Sequence, residues 1–143
     1  MLAGAGVPGF ADGQGVSARI DYPSGVVVHP VSGMLYIAEQ TNHLIRACTA
    51  QGWLSTLAGR TGIAGNVDGP SSTSLFNVPT GIVLDSNNTN LYVTCFKAHT
   101  LRQLVLATNW VSTIAGSGLA AEIDGIGRAA AFNGPSYDCT IVF

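Results

Sequence analysis

The sequence predicts an all-β fold in which small antiparallel sheets of four strands recur along the chain. Two observations carry this. One is an internal repeat with a 56-residue step, kept by Asp12-Gly13, Asp68-Gly69 and Asp124-Gly125 and by Pro23, Pro79 and Pro135. The other is that each of the first two units holds four short runs rich in β-branched and aromatic residues, with no window of sustained helical periodicity. Repeats of this length indicate a solenoid, a propeller or an array, and four antiparallel strands per unit describe a propeller blade. The 143 residues hold about two and a half units, at approximately 2–56, 57–113 and 114–143, the last incomplete.

The first unit opens on Leu2-Ala3-Gly4, matched by Leu57-Ala58-Gly59 and Ile114-Ala115-Gly116. Its β-like runs are residues 25–29, 35–39, 43–49 and 53–58, separated by Pro-Val-Ser-Gly, Gln-Thr-Asn and Ala-Gln-Gly as turns. The second unit repeats them at 81–85, 91–95, 99–106 and 110–115. Short linkers force neighbouring runs to pair antiparallel. Val26, Val27 and Val28 are apolar on both faces, which suits an inner strand sandwiched between blades. Arg128 to Ala131 is at most one helical turn. The glycine-rich connection at 59–78 recurs in every unit, so it reads as an ordered crossover between blades.

Composition removes several function classes. Hydrophobic residues make up 47% and charged residues 10%, which excludes a disordered tail. Six basic residues, only one of them Lys, argue against a nucleic-acid footprint, and no apolar run approaches the ~20 residues of a membrane span. Three cysteines without a Cys-x-x-Cys pair exclude a cysteine zinc site. The apolar end at Ile141-Val142-Phe143 reads as a strand that needs neighbours, so the chain is expected to be a piece of a longer one.

Residues 38–46, Ala-Glu-Gln-Thr-Asn-His-Leu-Ile-Arg, resemble the signature of NHL repeats, with Asn42, His43 and Leu44 supplying its three letters. The second copy keeps His99 and Arg102 but has Ala98 for Asn and Thr100 for Leu. The Leu-Ala-Gly, Asp-Gly and Pro-x-Gly frame resembles the long-repeat variety of that family. It weakens at the end, where Tyr137 and Asp138 depart from the pattern. The resemblance implies a β-propeller, commonly six-bladed, used most often as a protein-interaction platform. Some relatives bind RNA, and one enzymatic branch cleaves amidated-peptide precursors with a metal.

Side chains that carry chemistry are few. Asp12, Asp68 and Asp124 each stand before glycine, the pattern of an Asx-turn whose carboxylate bonds backbone amides. One carboxylate per loop falls far short of a calcium site. Arg46 and Arg102 alternate with leucines on one strand face, so part-buried stems and a carboxylate partner are expected, from Asp12, Asp68, Asp124 or Glu39. His43 and His99 occupy equivalent places in adjacent blades, about a sheet spacing of ~10 Å apart, too far to share zinc without large convergence. The Gly4-x-Gly6-x-x-Gly9 pattern lies in phase with the repeat and reads as crossover loop, not a dinucleotide fingerprint. Cys48, Cys95 and Cys139 hold non-equivalent positions and read as buried thiols. Asn87-Asn88-Thr89 is a glycosylation sequon in an expected hairpin turn, relevant only in a secreted chain. Trp53 and Trp110 open the outermost strands, and their recurrence favours packing.

No catalytic constellation, metal ligand set or cofactor motif stands out. The reading is a partial NHL-type propeller serving as a non-catalytic scaffold for a protein partner, through loops at one end of the disc. Asn42, His43, Lys97 and His99 are the candidate contact residues. Its other expected neighbours are remaining blades or further copies of itself. A propeller hydrolase or lyase with its site at the central channel is the alternative, and RNA binding is third.

Overall fold

The structure, a computed structural model, describes residues 1–136. The expected strand at Ile141-Val142-Phe143, the departures at Tyr137 and Asp138, and Cys139 lie outside the described residues. Among the described residues the regular structure is β, apart from single 3₁₀ turns at Gly15–Ser17 and Gly127–Ala129.

The first sheet contains β1 (Gly13–Gln14), β2 (Pro23–Val28), β3 (Leu35–Glu39), β4 (Leu44–Cys48) and β5 (Trp53–Gly59), in the order β1-β5-β4-β3-β2. The second repeats it with β6 (Gly69–Pro70), β7 (Pro79–Leu84), β8 (Asn90–Cys95), β9 (Thr100–Val105) and β10 (Trp110–Ala115). All neighbours are antiparallel. Each sheet therefore has a fifth strand beyond the four expected. It is a two-residue edge formed by the crossover arm, which touches the outermost strand before the chain turns to the innermost one. Very short edge strands leave little backbone for a foreign strand to pair with.

The two sheets meet through a shared core. Tyr36, Ala38, Ile45, Ala47 and Ala58 of the first face Phe76, Ile82, Leu91, Val93, Leu104 and Val111 of the second. The small residues of the first sheet let the larger ones of the second approach. Contact is tightest at the inner strands. A Cβ on Gly25 would stand 2.5 Å from Thr80 O, closer than atoms tolerate, so β2 carries glycine where it passes β7.

Val26 and Val28 are not sandwiched. They are 60% and 54% exposed, because among the described residues the first sheet has a neighbour on one side only; Val27 packs into the shared core. The open face carries Ile20, Val26, Leu35, Ile37, Cys48 and Leu54. With a step of 56 or 57 residues these become Phe76, Ile82, Leu91, Val93, Leu104 and Val111, the buried side of the second sheet. Trp53 and Trp110 also depart from the packed role. They are half-exposed on the outer strands, since the two-residue edge covers only their backbone.

Phe76 is fully buried between the sheets. Phe76→Ala is expected to cost about 3–5 kcal/mol in chemical denaturation. Val26→Ala, on the open face, is expected to stay within about 0.5 kcal/mol of the parent.

Candidate functional site

The charged framework is built from the middle of each sheet outward. Arg46 on β4 is wholly buried, more so than the part-burial its position suggested. A buried guanidinium needs acceptors on every side. Its Nη1 donates to Glu39 Oε1 at 2.5 Å and to Arg19 O at 3.3 Å. Its Nη2 donates to Asp12 Oδ1 at 2.6 Å and to Ala11 O at 3.2 Å. The Phe10 ring lies 5.0 Å from its Cζ. Asn42 Nδ2 donates to Glu39 Oε2 at 2.6 Å and to Gly9 O at 3.2 Å. Thr56 Oγ1 donates to Asp12 Oδ1 at 3.1 Å. One arginine thus fastens the strand, its neighbour and the crossover arm together. Burial pushes the Glu39 carboxyl up, against the downward pull of Asn42 and of the Arg46 charge.

The second unit keeps half of this. Arg102 Nη2 donates to Asp68 Oδ1 and to Val67 O, both at 2.9 Å, and Nη1 donates to Leu75 O at 2.8 Å. Phe76 takes the place of Phe10, 5.1 Å from Cζ. Thr113 Oγ1 donates to Asp68 Oδ1 at 2.9 Å, and Arg128 donates to Asp68 Oδ2 at 2.6 Å. Cys95 and Ala98 stand where Glu39 and Asn42 stand in the first unit. Burial drives the Cys95 thiol up to about 11, so it stays protonated beside Arg102. Asp12 and Asp68 therefore serve the arginines and threonines. Asp124, their third copy, is exposed.

The histidines do not begin strands. His43 and His99 sit in the turns before β4 and β9 with φ of 59° and 52°. Their Nδ1 atoms accept hydrogen bonds from Val78 N at 3.1 Å and Gly134 N at 3.0 Å, so each ring is tied to the arm of the next unit. An accepting Nδ1 belongs to the neutral ring, and burial lowers the His43 pKa in the same sense. A second inter-unit tie was not read from the sequence. Ser24 Oγ lies 2.9 Å from Thr80 O, and Thr80 Oγ1 lies 3.4 Å from Pro135 O. The signal was there: Pro23-Ser24, Pro79-Thr80 and Pro135-Ser136 put a hydroxyl after proline in every unit.

At the end of the sheets where these turns gather, the surface is open. Tyr22, Gln40, Thr80, Phe96 and Ser136 line a cavity of about 290 Å³. Tyr22, Phe96 and Lys97 are exposed, and Lys97 Nζ stands 5.6 Å from the Phe96 ring centre. Of the four candidate contact residues, the structure sets Asn42 and His43 in one turn and Lys97 and His99 in its equivalent. Asn42 is buried, and the bonds above engage its amide and both histidines within the fold. Asn87 is exposed in the turn at the opposite end. There Asp85 accepts from the Thr89 and Asn90 amides and side chains. Cys48 and Cys95 are buried free thiols. Among the described residues no three His, Cys, Asp or Glu side chains converge on a common point, and no helix is long and apolar enough to cross a membrane.

Repeated antiparallel sheets packed face to face, with crossover arms that brace each outer strand, define a repeat-built β-propeller protein. No family profile matches the chain. Cattle (Bos taurus) NHL repeat-containing protein 2 is 36% identical over 105 residues, covering 73% of this chain and 14% of that protein. The human (Homo sapiens) protein of the same name is 33% identical over 107 residues, covering 74% and 15%. The chain belongs to the NHL-repeat family, and it spans about a seventh of the length of these relatives. A Bacteroides thetaiotaomicron protein of unknown function superposes with a TM-score of 0.74 at 29% identity, over 80% of this chain and 29% of that one. An auxiliary nutrient binding protein from Bacteroides ovatus superposes at 0.69 with 22% identity, over 87% and 33%, a likeness of fold.

The two arginines are expected to differ in worth. Arg46→Met leaves the wholly buried Glu39 without its cation and should cost about 3–5 kcal/mol. Arg102→Met should cost clearly less, because Asp68 is part-exposed and keeps Thr113 and Arg128. Urea midpoints of the two variants check this. Burial alone would raise the Asp68 pKa; the Thr113 hydrogen bonds and the charges of Arg102 and Arg128 outweigh it and hold the value below the usual carboxylate range. A carboxyl depressed on folding adds stability above its unfolded pKa, and that stability is lost as pH falls through the folded value. Stability measured from neutral pH down below about 4 should therefore fall less steeply in Asp68→Asn than in the parent.

Proposed function

We propose that the chain is a non-catalytic protein-interaction platform whose contact surface is the end carrying Tyr22, Gln40, Phe96 and Lys97. One observation supports this above the others. Positions that fasten each unit internally recur, as Asp12/Asp68 and Arg46/Arg102, and so do those that tie it to the next, as His43/His99 and Ser24/Thr80. Positions at the surface of the loop end do not, as Tyr22/Val78, Gln40/Phe96 and Thr41/Lys97, with Tyr22, Thr41, Phe96 and Lys97 exposed. A fixed frame that presents unlike side chains at one end suits selective recognition, and loops on a rigid scaffold are where recognition resides. On this reading Lys97 makes the contact, while Asn42, His43 and His99 set the turns that present it.

The open face of the first sheet has a different partner on the same reading, another unit of the same repeat. Its side chains match, position for position, those the second sheet already buries against the first. Light scattering of the chain alone should show assemblies above one copy, dispersed by Val26→Asp. A compact 14.7 kDa monomer that stays soluble at high concentration would count against it.

The platform is tested by a photo-crosslinking residue placed at 96 or at 87, on opposite ends. Adducts with a partner protein are expected from 96 and not from 87, and Lys97→Glu should reduce their yield several-fold. Equal yields from both ends would reject the loop end as the contact surface.

A further inference from the structure

The exposed turn at Phe96 and Lys97 hangs on residues that two histidines hold. The Phe96 N–H donates to Val78 O at 2.9 Å, and the Lys97 N–H donates to Asn77 O at 3.3 Å. Val78 is in turn fixed from the preceding unit, because its own N–H donates to His43 Nδ1 at 3.1 Å. The Phe96 ring has a separate support. A Cβ on Gly134 would stand 2.7 Å from its Cε2, so the ring lies directly against that glycine. The Gly134 N–H donates to His99 Nδ1 at 3.0 Å. One aromatic side chain thus depends on both histidines, through its backbone on His43 and through its ring on His99.

Each tie requires an unprotonated Nδ1. A neutral imidazole accepts at one nitrogen, whereas the imidazolium carries N–H at both and accepts at neither. Protonation would set N–H against N–H at both places. The backbone so released is strained, since Val78 is β-branched and holds φ of 54°. Both rings are half-buried, so protons can reach them. Charged groups on the elements around His43 are Asp21, Glu39, Arg46, Arg60 and Lys97, of which Glu39 and Arg46 are paired with each other. Around His99 they are Lys97 and Arg102, the latter paired with Asp68, and Cys95 is a protonated thiol. Among the described residues no ion pair includes either ring.

We infer that His43 and His99 form an acid-sensitive hold on Phe96, so that protonating them frees the Val78 and Gly134 N–H groups and unsettles the loop end in mildly acidic solution. That this would regulate binding rests on the loop end being the contact surface; the change in the loop end itself does not. The sign follows from burial, which lowers the His43 pKa. A histidine depressed on folding adds stability above its unfolded value of about 6.5, and that stability is lost as pH falls through the folded value. The His43 tie is therefore whole at neutral pH and given up below it.

The test is a nitrogen-15 NMR titration of the intact chain from about pH 8 to about pH 5, a range that spans the ordinary histidine value. At the upper end the Nδ1 of His43 and of His99 should give the signal of an unprotonated, hydrogen-bonded nitrogen. As the rings take up protons, the Val78 and Phe96 amides should move with His43, and the Gly134 amide with His99. Their protection against hydrogen exchange, corrected for intrinsic rate, should fall about tenfold, as the loss of one part-buried hydrogen bond implies. His43→Asn keeps a residue that tolerates positive φ and removes the titrating group. In it Val78 and Phe96 should lose their shift with pH while Gly134 still follows His99. His29 is the internal control. Its Nδ1 accepts from Val31 and Ser32 in a turn at the opposite end, so its titration should leave the other three amides unmoved. Rings that titrate while Val78, Phe96 and Gly134 stay still would overturn the inference. So would rings that remain neutral down to about pH 5 in the folded chain, or amide shifts that persist unchanged in His43→Asn. The titration needs no partner, so cross-linking from position 96 that is absent at every pH counts against the contact surface alone.

Discussion

Burying a guanidinium completely is costly unless every direction around it offers an acceptor. In this protein the Nη atoms find those acceptors in two places, a neighbouring strand and the crossover arm, while among the described residues Nε of Arg46 and of Arg102 has none. A neighbouring strand gives Glu39 in the first unit, and the crossover arm gives two carbonyls and an aspartate in both. Arg46 therefore cannot be satisfied until the arm, some 34 residues earlier, has closed over the sheet. That requirement explains the ordered crossover. A glycine-rich stretch of this length has few apolar side chains to bury and much backbone entropy to lose. Anchored by a guanidinium at its middle, it also lays a short strand on the sheet edge and delivers the chain to the inner strand of the next blade.

The two units reach this state by different routes. The first places a second carboxylate beside the arginine and steadies it with Asn42. The second has Cys95 and Ala98 there and adds Arg128 from the following arm, which meets the free oxygen of Asp68. The aromatic ring changes too, from Phe10 on one side of the arm to Phe76 on the other. What stays fixed is the pair of arm carbonyls and the aspartate. The backbone of the arm, more than any full set of side chains, is the constant part of the arginine receptor.

Much of this was legible in the sequence because the repeat compares each unit with the next. Antiparallel pairing of neighbouring runs, the ordered crossover and a carboxylate partner for Arg46, drawn from Asp12, Asp68, Asp124 and Glu39, follow from period, apolar pattern and the need of a buried cation for a carboxylate. Features that depend on how close two backbones come were not legible. The left-handed turns at His43 and His99 look like strand starts by composition, since a residue type does not report a positive φ. The exposure of Val26 and Val28 is a matter of which neighbour stands beside the sheet, and three valines look alike on both faces. The loop-end residues Tyr22, Gln40 and Phe96 were missed for the opposite reason. They differ between units, and a search for recurrence passes over what varies.

The histidine ties show how local strain and assembly are joined. Val78 is β-branched and holds φ of 54°, a conformation such residues avoid, and Tyr22 and Gly134 at the same repeat position hold 50° and 62°. The backbone N–H of Val78 and of Gly134 is captured by the histidine of the preceding unit, at 3.1 and 3.0 Å. The strained turn is thus over-determined from outside its own blade, and the entry to each inner strand is set by the unit before it. Ser24 and Thr80 add a second tie at the same end of the sheets. The polar ties between units are therefore concentrated at the end where the loops gather, above the shared apolar core. The side chains of Thr41 and Lys97, exposed at that end, differ between the units while the ties beneath them recur.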